Sequence, residues 1–168
     1  MTREEFIKVL EDKCYTYKIK GDKLVVDKYG IVDLSSLKTL PPGVEFNNRG
    51  YVHLDSLKII PPGVEFNNGG SVYLASLETL PLGVEFKNGG WVDLRSLETL
   101  PHGVVFKNKG SVDLNSLKTL PPGVEFKNGG SVDLSSLTGY WFSDWKGNIE
   151  GIDSKTLLNV MIKRGIFL

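Results

Sequence analysis

Residues 111–130 read SVDLNSLKTLPPGVEFKNGG, and the same twenty-residue phrase occupies 31–50, 51–70, 71–90 and 91–110. A sixth copy starts at Ser131 and stops after Leu137. No insertion or deletion separates the copies. Self-similarity at a strict short period is the mark of a solenoid, in which each unit buries its apolar face against the next.

Counting the phrase from its first residue, position 2 is always Val and positions 4 and 7 are always Leu. Position 10 is Leu or Ile, position 14 is Val and position 16 is Phe. These are the expected core positions. Positions 2 and 4 alternate with polar neighbours, as do 14 and 16, and a period of two is that of a strand. Each coil is therefore expected to hold two short strands, with a bend carrying Leu at 7 and 10 between them. Pro at position 11 fixes φ and cannot donate a ladder hydrogen bond, and Gly at 13 completes a Pro-x-Gly corner. Asn at 18 and Gly at 20 read as a second turn, in which left-handed backbone is tolerated. The invariant Ser at position 6 is placed to satisfy a backbone group at the corner.

Outward from the repeats, residues 2–13 pattern as a short helix. Thr2 is its cap, Glu5 completes a capping box, and Phe6, Ile7, Val9 and Leu10 form its apolar stripe. Residues 15–26 alternate around Gly21-Asp22 and read as two strands and a tight turn. From the second of these strands onward KLVVDKYG (23–30) aligns with GVEFNNRG (43–50), so that Leu24 matches Val44, Val26 matches Phe46 and Gly30 matches Gly50. After Leu137 the phrase ends. Tyr140, Trp141, Phe142 and Trp145 read as an aromatic plug over the last coil, and residues 154–164 as a closing helix capped by Asp153. The expected fold is an all-β solenoid of about six coils, with an α-helix at each end.

Composition narrows function by exclusion. Twenty Lys and Arg balance twenty Asp and Glu, which suits neither a general nucleic-acid binder nor a DNA mimic. Cys14 is the one cysteine, so no intramolecular disulfide is possible, which fits the cytoplasm. The polar, amphipathic start lacks the apolar core of a secretory signal, and no run approaches a membrane span. His53 and His102 occupy positions 3 and 12 of different coils, with no ligand set beside either. The Gly-Gly pairs lack the Lys-Ser/Thr of a phosphate loop, and no serine sits in a nucleophile elbow. No catalytic residue, cofactor, metal or small-molecule ligand is expected. Asp33, Asp93, Asp113 and Asp133 would form an acidic ladder at position 3, but His53 and Tyr73 interrupt it. Position 15 carries Glu45, Glu65, Glu85 and Glu125, offset by Lys87, Lys107 and Lys127 at position 17.

The informative departures lie in the middle coils. Outward positions 1, 3 and 5 read Tyr51, His53, Asp55, then Ser71, Tyr73, Ala75, then Trp91, Asp93, Arg95. Aromatics with Arg are the usual anchors of protein interfaces, so Tyr51, His53, Tyr73, Trp91, Asp93 and Arg95 are the candidate protein-binding residues. Adjacent aromatics could equally do no more than stack along the ladder. A smaller set, Leu82, His102 and Val105, replaces Pro, Pro and Glu on another side.

The phrase S-L-x-x-L-P-x-G-V-x-F-x-N-x-G-x-V-x-L, with the tail WKGNIEGIDSKTLLNVMIKRGIF (145–167), resembles the short leucine-rich-repeat-like proteins of tailed phages and prophages. The resemblance implies a phage or bacterial cytoplasmic setting and no enzymatic activity; it supplies no site residues. Ordinary leucine-rich repeats space their leucines differently and carry one strand per repeat, so a compact two-sheeted β-solenoid is expected rather than a horseshoe. The resulting expectation is a non-enzymatic binding module whose partner is a host or phage protein, for example a host defence component. The alternative is a structural repeat protein that associates with itself.

Overall fold

In a computed structural model that describes residues 1–121 and 123–137, the chain is an all-β solenoid of about five coils preceded by one helix. The aromatic plug and the C-terminal helix expected beyond Leu137 lie outside the described residues, and the sixth phrase contributes one strand and its turn.

Helix α1 (Arg3–Asp12) carries the expected capping box: the Glu5 N–H donates to Thr2 Oγ1, and the Thr2 N–H donates to Glu5 Oε2. Phe6 and Leu10 are fully buried, so the helix lays its apolar stripe on the end of the stack. It stops in a Schellman arrangement, with the Tyr15 N–H donating to Leu10 O (2.8 Å) and the Cys14 N–H to Glu11 O (2.9 Å). Cys14 takes the left-handed position there, at φ +54.

Strands β1 (Tyr17–Lys20) and β2 (Lys23–Val26) form an antiparallel hairpin across Gly21-Asp22. From there each coil adds one strand to each of two parallel sheets. The first sheet continues through β4 (Val44–Phe46), β6 (Glu65–Phe66), β8 (Glu85–Phe86), β10 (Val105–Phe106) and β12 (Glu125–Phe126). The second holds β3 (Val32–Asp33), β5 (Val52–His53), β7 (Val72–Tyr73), β9 (Val92–Asp93), β11 (Val112–Asp113) and β13 (Val132–Asp133). Register is one coil to the next without slip. Leu24 pairs with Val44 and Val26 with Phe46, as the alignment of 23–30 with 43–50 requires.

The invariant apolar positions face inward and make one continuous core. Phe46, Phe66, Phe86, Phe106 and Phe126 stack with ring centroids 5.2–5.6 Å apart and planes within 6° of parallel. Those separations suit offset stacking. A lone coil cannot shield both sides of its phenylalanine, which is why the unit must repeat.

The corners divide the work differently from the sequence reading. Within the regular repeats the left-handed conformation is confined to position 13, where Gly43, Gly63, Gly83, Gly103 and Gly123 have φ of +70 to +79; Gly30, the counterpart of position 20 in the degenerate first coil, has φ +96. The Asn at 18 and the Gly at 20 of the repeats do not adopt it, contrary to expectation. The glycine at 20 is needed instead for close approach. A Cβ on Gly110 would lie 2.6 Å from the Gly90 carbonyl carbon, and one on Gly50 would lie 2.5 Å from that of Gly30. The asparagine is needed for its amide. Asn88 Nδ2 donates to the carbonyls of Gly70 (3.0 Å), Gly90 (3.1 Å) and Trp91 (3.2 Å), and so ties one coil to the previous one. Asn48, Asn68, Asn108 and Asn128 repeat the pattern. An asparagine column thus runs up the inside of the corner, and Asn48, Asn68, Asn88 and Asn108 are buried.

The acidic residues of position 3 also have a local task. The carboxylates of Asp33, Asp93, Asp113 and Asp133 each accept from the N–H two residues on, at 2.9–3.2 Å. These Asx-turns brace the bend after the strand. The Ser at position 6 serves the backbone at Ser96, whose hydroxyl donates to Ala75 O at 2.5 Å.

Candidate functional site

The second sheet turns positions 1, 3 and 5 outward, and its middle coils bring the aromatic residues together. His53 and Tyr73 are direct partners on β5 and β7. Their rings lie 4.5 Å apart at 11°, a face-to-face stack. Tyr51 meets Tyr73 edge-on at 6.2 Å and 89°, and Trp91 meets it from the other side at 6.0 Å and 82°. Tyr73 is the hub, and the other three rings pack around it. Edge-to-face and offset pairs of this kind add about 0.5–1.5 kcal/mol each beyond area burial. The stacking is therefore real, yet it does not consume the surface. Tyr51 remains 45% exposed, and His53, Tyr73 and Trp91 are half-buried.

Arg95 and Asp93 flank the cluster as a fork. Arg95 Nε lies 2.9 Å from Asp93 Oδ1, and Nη2 lies 2.6 Å from Oδ2. The Asp93 side chain is 2% exposed, whereas that of Arg95 is 49% exposed. The pair therefore neutralises a buried carboxylate and shows solvent only the guanidinium. The same carboxylate holds the Arg95 pKa above its ordinary value. On the far side of Tyr73, His53 Nδ1 lies 3.4 Å from Asp55 Oδ2. Burial raises the carboxyl pKa of Asp113, and the like charges of Asp93 and Asp133 add to the rise; the Asn115 N–H opposes it. All six candidate residues thus converge on one face: Tyr51, His53, Trp91 and Asp93 around the Tyr73 hub, and Arg95 through Asp93.

Leu82, His102 and Val105 do not join them. Leu82 is 79% exposed beside a shallow recess of about 240 Å³ that it lines with Pro81, Glu85 and Lys87. Val105 sits on β10 between Glu85 and Glu125 of the first sheet, and His102 is exposed. That sheet's charges are paired both within and across coils. Lys23 reaches Glu65 (2.6 Å), and Glu85 takes both Lys87 (2.6 Å) and Lys107 (3.0 Å). Lys87 and then Lys107 hold the Glu85 carboxyl below its ordinary range.

Among the described residues no group of three or more His, Cys, Asp or Glu side chains is arranged to hold a metal ion, and no helix is long and apolar enough to cross a membrane. The sequence reading missed the Asp93–Arg95 fork and the burial of Asp93. The available signal was the i, i+2 spacing of Asp and Arg across a bend. No protein-family model matches the chain, and no curated protein or solved structure matches it either.

Proposed function

We propose that this β-solenoid is a non-enzymatic protein-binding module that engages its partner through the outward face centred on Tyr73. One observation carries the reading. Tyr51, His53, Tyr73 and Trp91 join into a single partly exposed aromatic cluster, on a sheet whose other coils present Ser or Ile at position 1 and Asp at position 3. Rigid aromatics beside an Arg are the residues that dominate interface energies. His53 and Tyr73 stand on strands β5 and β7, with Tyr51 and Trp91 immediately before β5 and β9, so little conformational freedom is lost on docking.

The finer reading follows from the resemblance of the repeat phrase: a phage or prophage protein acting in the bacterial cytoplasm on a host protein, such as a defence component. The test is affinity capture from host lysate with the full chain and with the double variant Tyr51→Ser/Trp91→Ser. Both serines already occur at position 1 of other coils (Ser71, Ser111, Ser131), so circular dichroism should be unchanged. Loss of specific partners supports the face; an identical partner set removes it. Pairing of two copies through the same face is the competing outcome. It would appear in light scattering as a dimer that the double variant abolishes.

A further inference from the structure

The zero net charge of the chain conceals two unlike faces. On the second sheet, outward positions 1, 3 and 5 of residues 31–135 carry Asp33, Asp55, Asp93, Asp113 and Asp133 against Arg95; five negative and one positive leave −4. On the first sheet, positions 15 and 17 of residues 45–127 carry four Glu and three Lys, which leave −1, and Lys23 pairs with Glu65. The first face is internally neutralised. On the second, Asp93 alone is held by an Arg; Asp33, Asp113 and Asp133 form no ion pair with Lys or Arg among the described residues.

The aromatic cluster therefore sits between two blocks of carboxylate. Asp33 lies on the N-terminal side, with Asp55 beside His53 at that end of the cluster, and Asp113 and Asp133 lie on the C-terminal side. In-register stacking holds Asp113 and Asp133 as direct strand partners, about 4.8 Å apart. Like charges at that spacing repel, and an added cation relieves the repulsion. The rings of Tyr51, Tyr73 and Trp91 offer electron-rich surfaces to a guanidinium or ammonium group. Polyanions such as nucleic acid are repelled from the same face.

We infer that the aromatic face takes a basic, extended polypeptide segment, whose Arg or Lys side chains lie over the flanking aspartates and against the central rings. This rests on reading that face as a binding surface, and adds the chemistry of the occupant. From Tyr51 to Trp91 the face spans two coil steps, about 10 Å, or about three residues of extended chain.

The test is selection of a displayed random decapeptide library on the full chain, followed by fluorescence polarisation with labelled winners and a labelled (Gly-Arg)5 probe. Winners should be enriched in Arg and Lys. Their affinity should fall steeply with salt. It should drop about tenfold or more in Tyr51→Ser/Trp91→Ser, and about three- to tenfold in Asp113→Asn/Asp133→Asn, with a flatter salt dependence. Glu65→Gln/Glu125→Gln on the other sheet should change nothing. Winners with no basic bias that still need Tyr51 and Trp91 overturn the basic segment while leaving the binding face standing. Winners indifferent to Tyr51→Ser/Trp91→Ser overturn both. Equal weakening by the aspartate and glutamate pairs reduces the effect to unspecific charge attraction and also overturns the inference.

Discussion

The asparagine at position 18 shows what a single residue does in this fold. It reads as a turn former, because Asn usually marks turns and nothing in a one-dimensional string reveals which carbonyls converge on it. The structure makes it an internal brace. Replacing Asn88 with Ala removes the donor to three carbonyls and should cost about 1–3 kcal/mol in urea unfolding. Asn88→Asp should cost more at neutral pH, since a carboxylate would face carbonyl oxygens in a buried site. An aspartate variant as stable as wild type would refute the brace. The position-3 aspartates were legible as a column but not as Asx-turns, and their environments now differ in sign. Burial raises the Asp113 pKa, so the folded state holds that proton more tightly than the unfolded chain. Its contribution to stability is present below about pH 4 and is lost as pH rises through the raised value. Asp113→Asn keeps an acceptor for the Asn115 N–H and should raise the urea midpoint at pH 7, with the gain vanishing by pH 3. Asp33 runs the other way: the Ser35 hydroxyl and N–H hold its pKa down. Its stabilisation is present above about pH 4 and is lost as pH falls through the lowered value, so Asp33→Asn should lose stability at pH 7 only.

At the scale of elements, the N-terminal cap was largely readable. Its capping box, apolar stripe and hairpin alternation are short-range patterns, and they reappear with shifts of a residue or so. How the cap closes the stack was not readable, because that closure joins residues distant in sequence. Sheet two begins at β3, whose outer edge would otherwise be open. The Asp33 N–H donates to the Tyr15 hydroxyl at 3.0 Å, so a side chain stands where another strand would pair, and Lys28 Nζ lies 4.0 Å from the Tyr15 ring centre. Sheet one is bounded by β1, whose Lys18 and Lys20 discourage edge-to-edge pairing. The helix stop carries a strain that can be removed. Cys14 holds φ +54, a region that costs a side-chain-bearing residue about 1–2 kcal/mol. Cys14→Gly should therefore stabilise the chain by about 1 kcal/mol, less the added freedom of glycine in the unfolded state. Thermal unfolding checks this, and a lowered midpoint would mean that the thiol packs usefully.

For the whole molecule the period was decisive. Because every core position recurs without insertion, the two-stranded coil, the in-register stacking and the interior Phe column all follow from the spacing. The proposed binding face was half legible: the overwritten positions at Tyr51, Tyr73 and Trp91 stand out against the repeat. Their packing around one ring, and the uneven division of charge between the two sheets, emerge only when the coils are stacked. Removing a whole coil should keep the fold. Deletion of residues 111–130 joins Gly110 to Ser131 in phase, and should leave a cooperative protein of lower stability whose denaturant m-value falls by about an eighth, in line with its length. Deleting ten residues at the same place should abolish cooperative unfolding. The in-register stack also has a mechanical meaning. Tension applied along the solenoid axis from one end loads the hydrogen bonds between neighbouring coils one after another, as a zipper rather than in shear. The chain should yield coil by coil at low force, and each yielded coil should release about 66–72 Å of extended chain. Grasped across the sheets instead, the same bonds would share the load, so the molecule should be soft in one direction and stiff in the other.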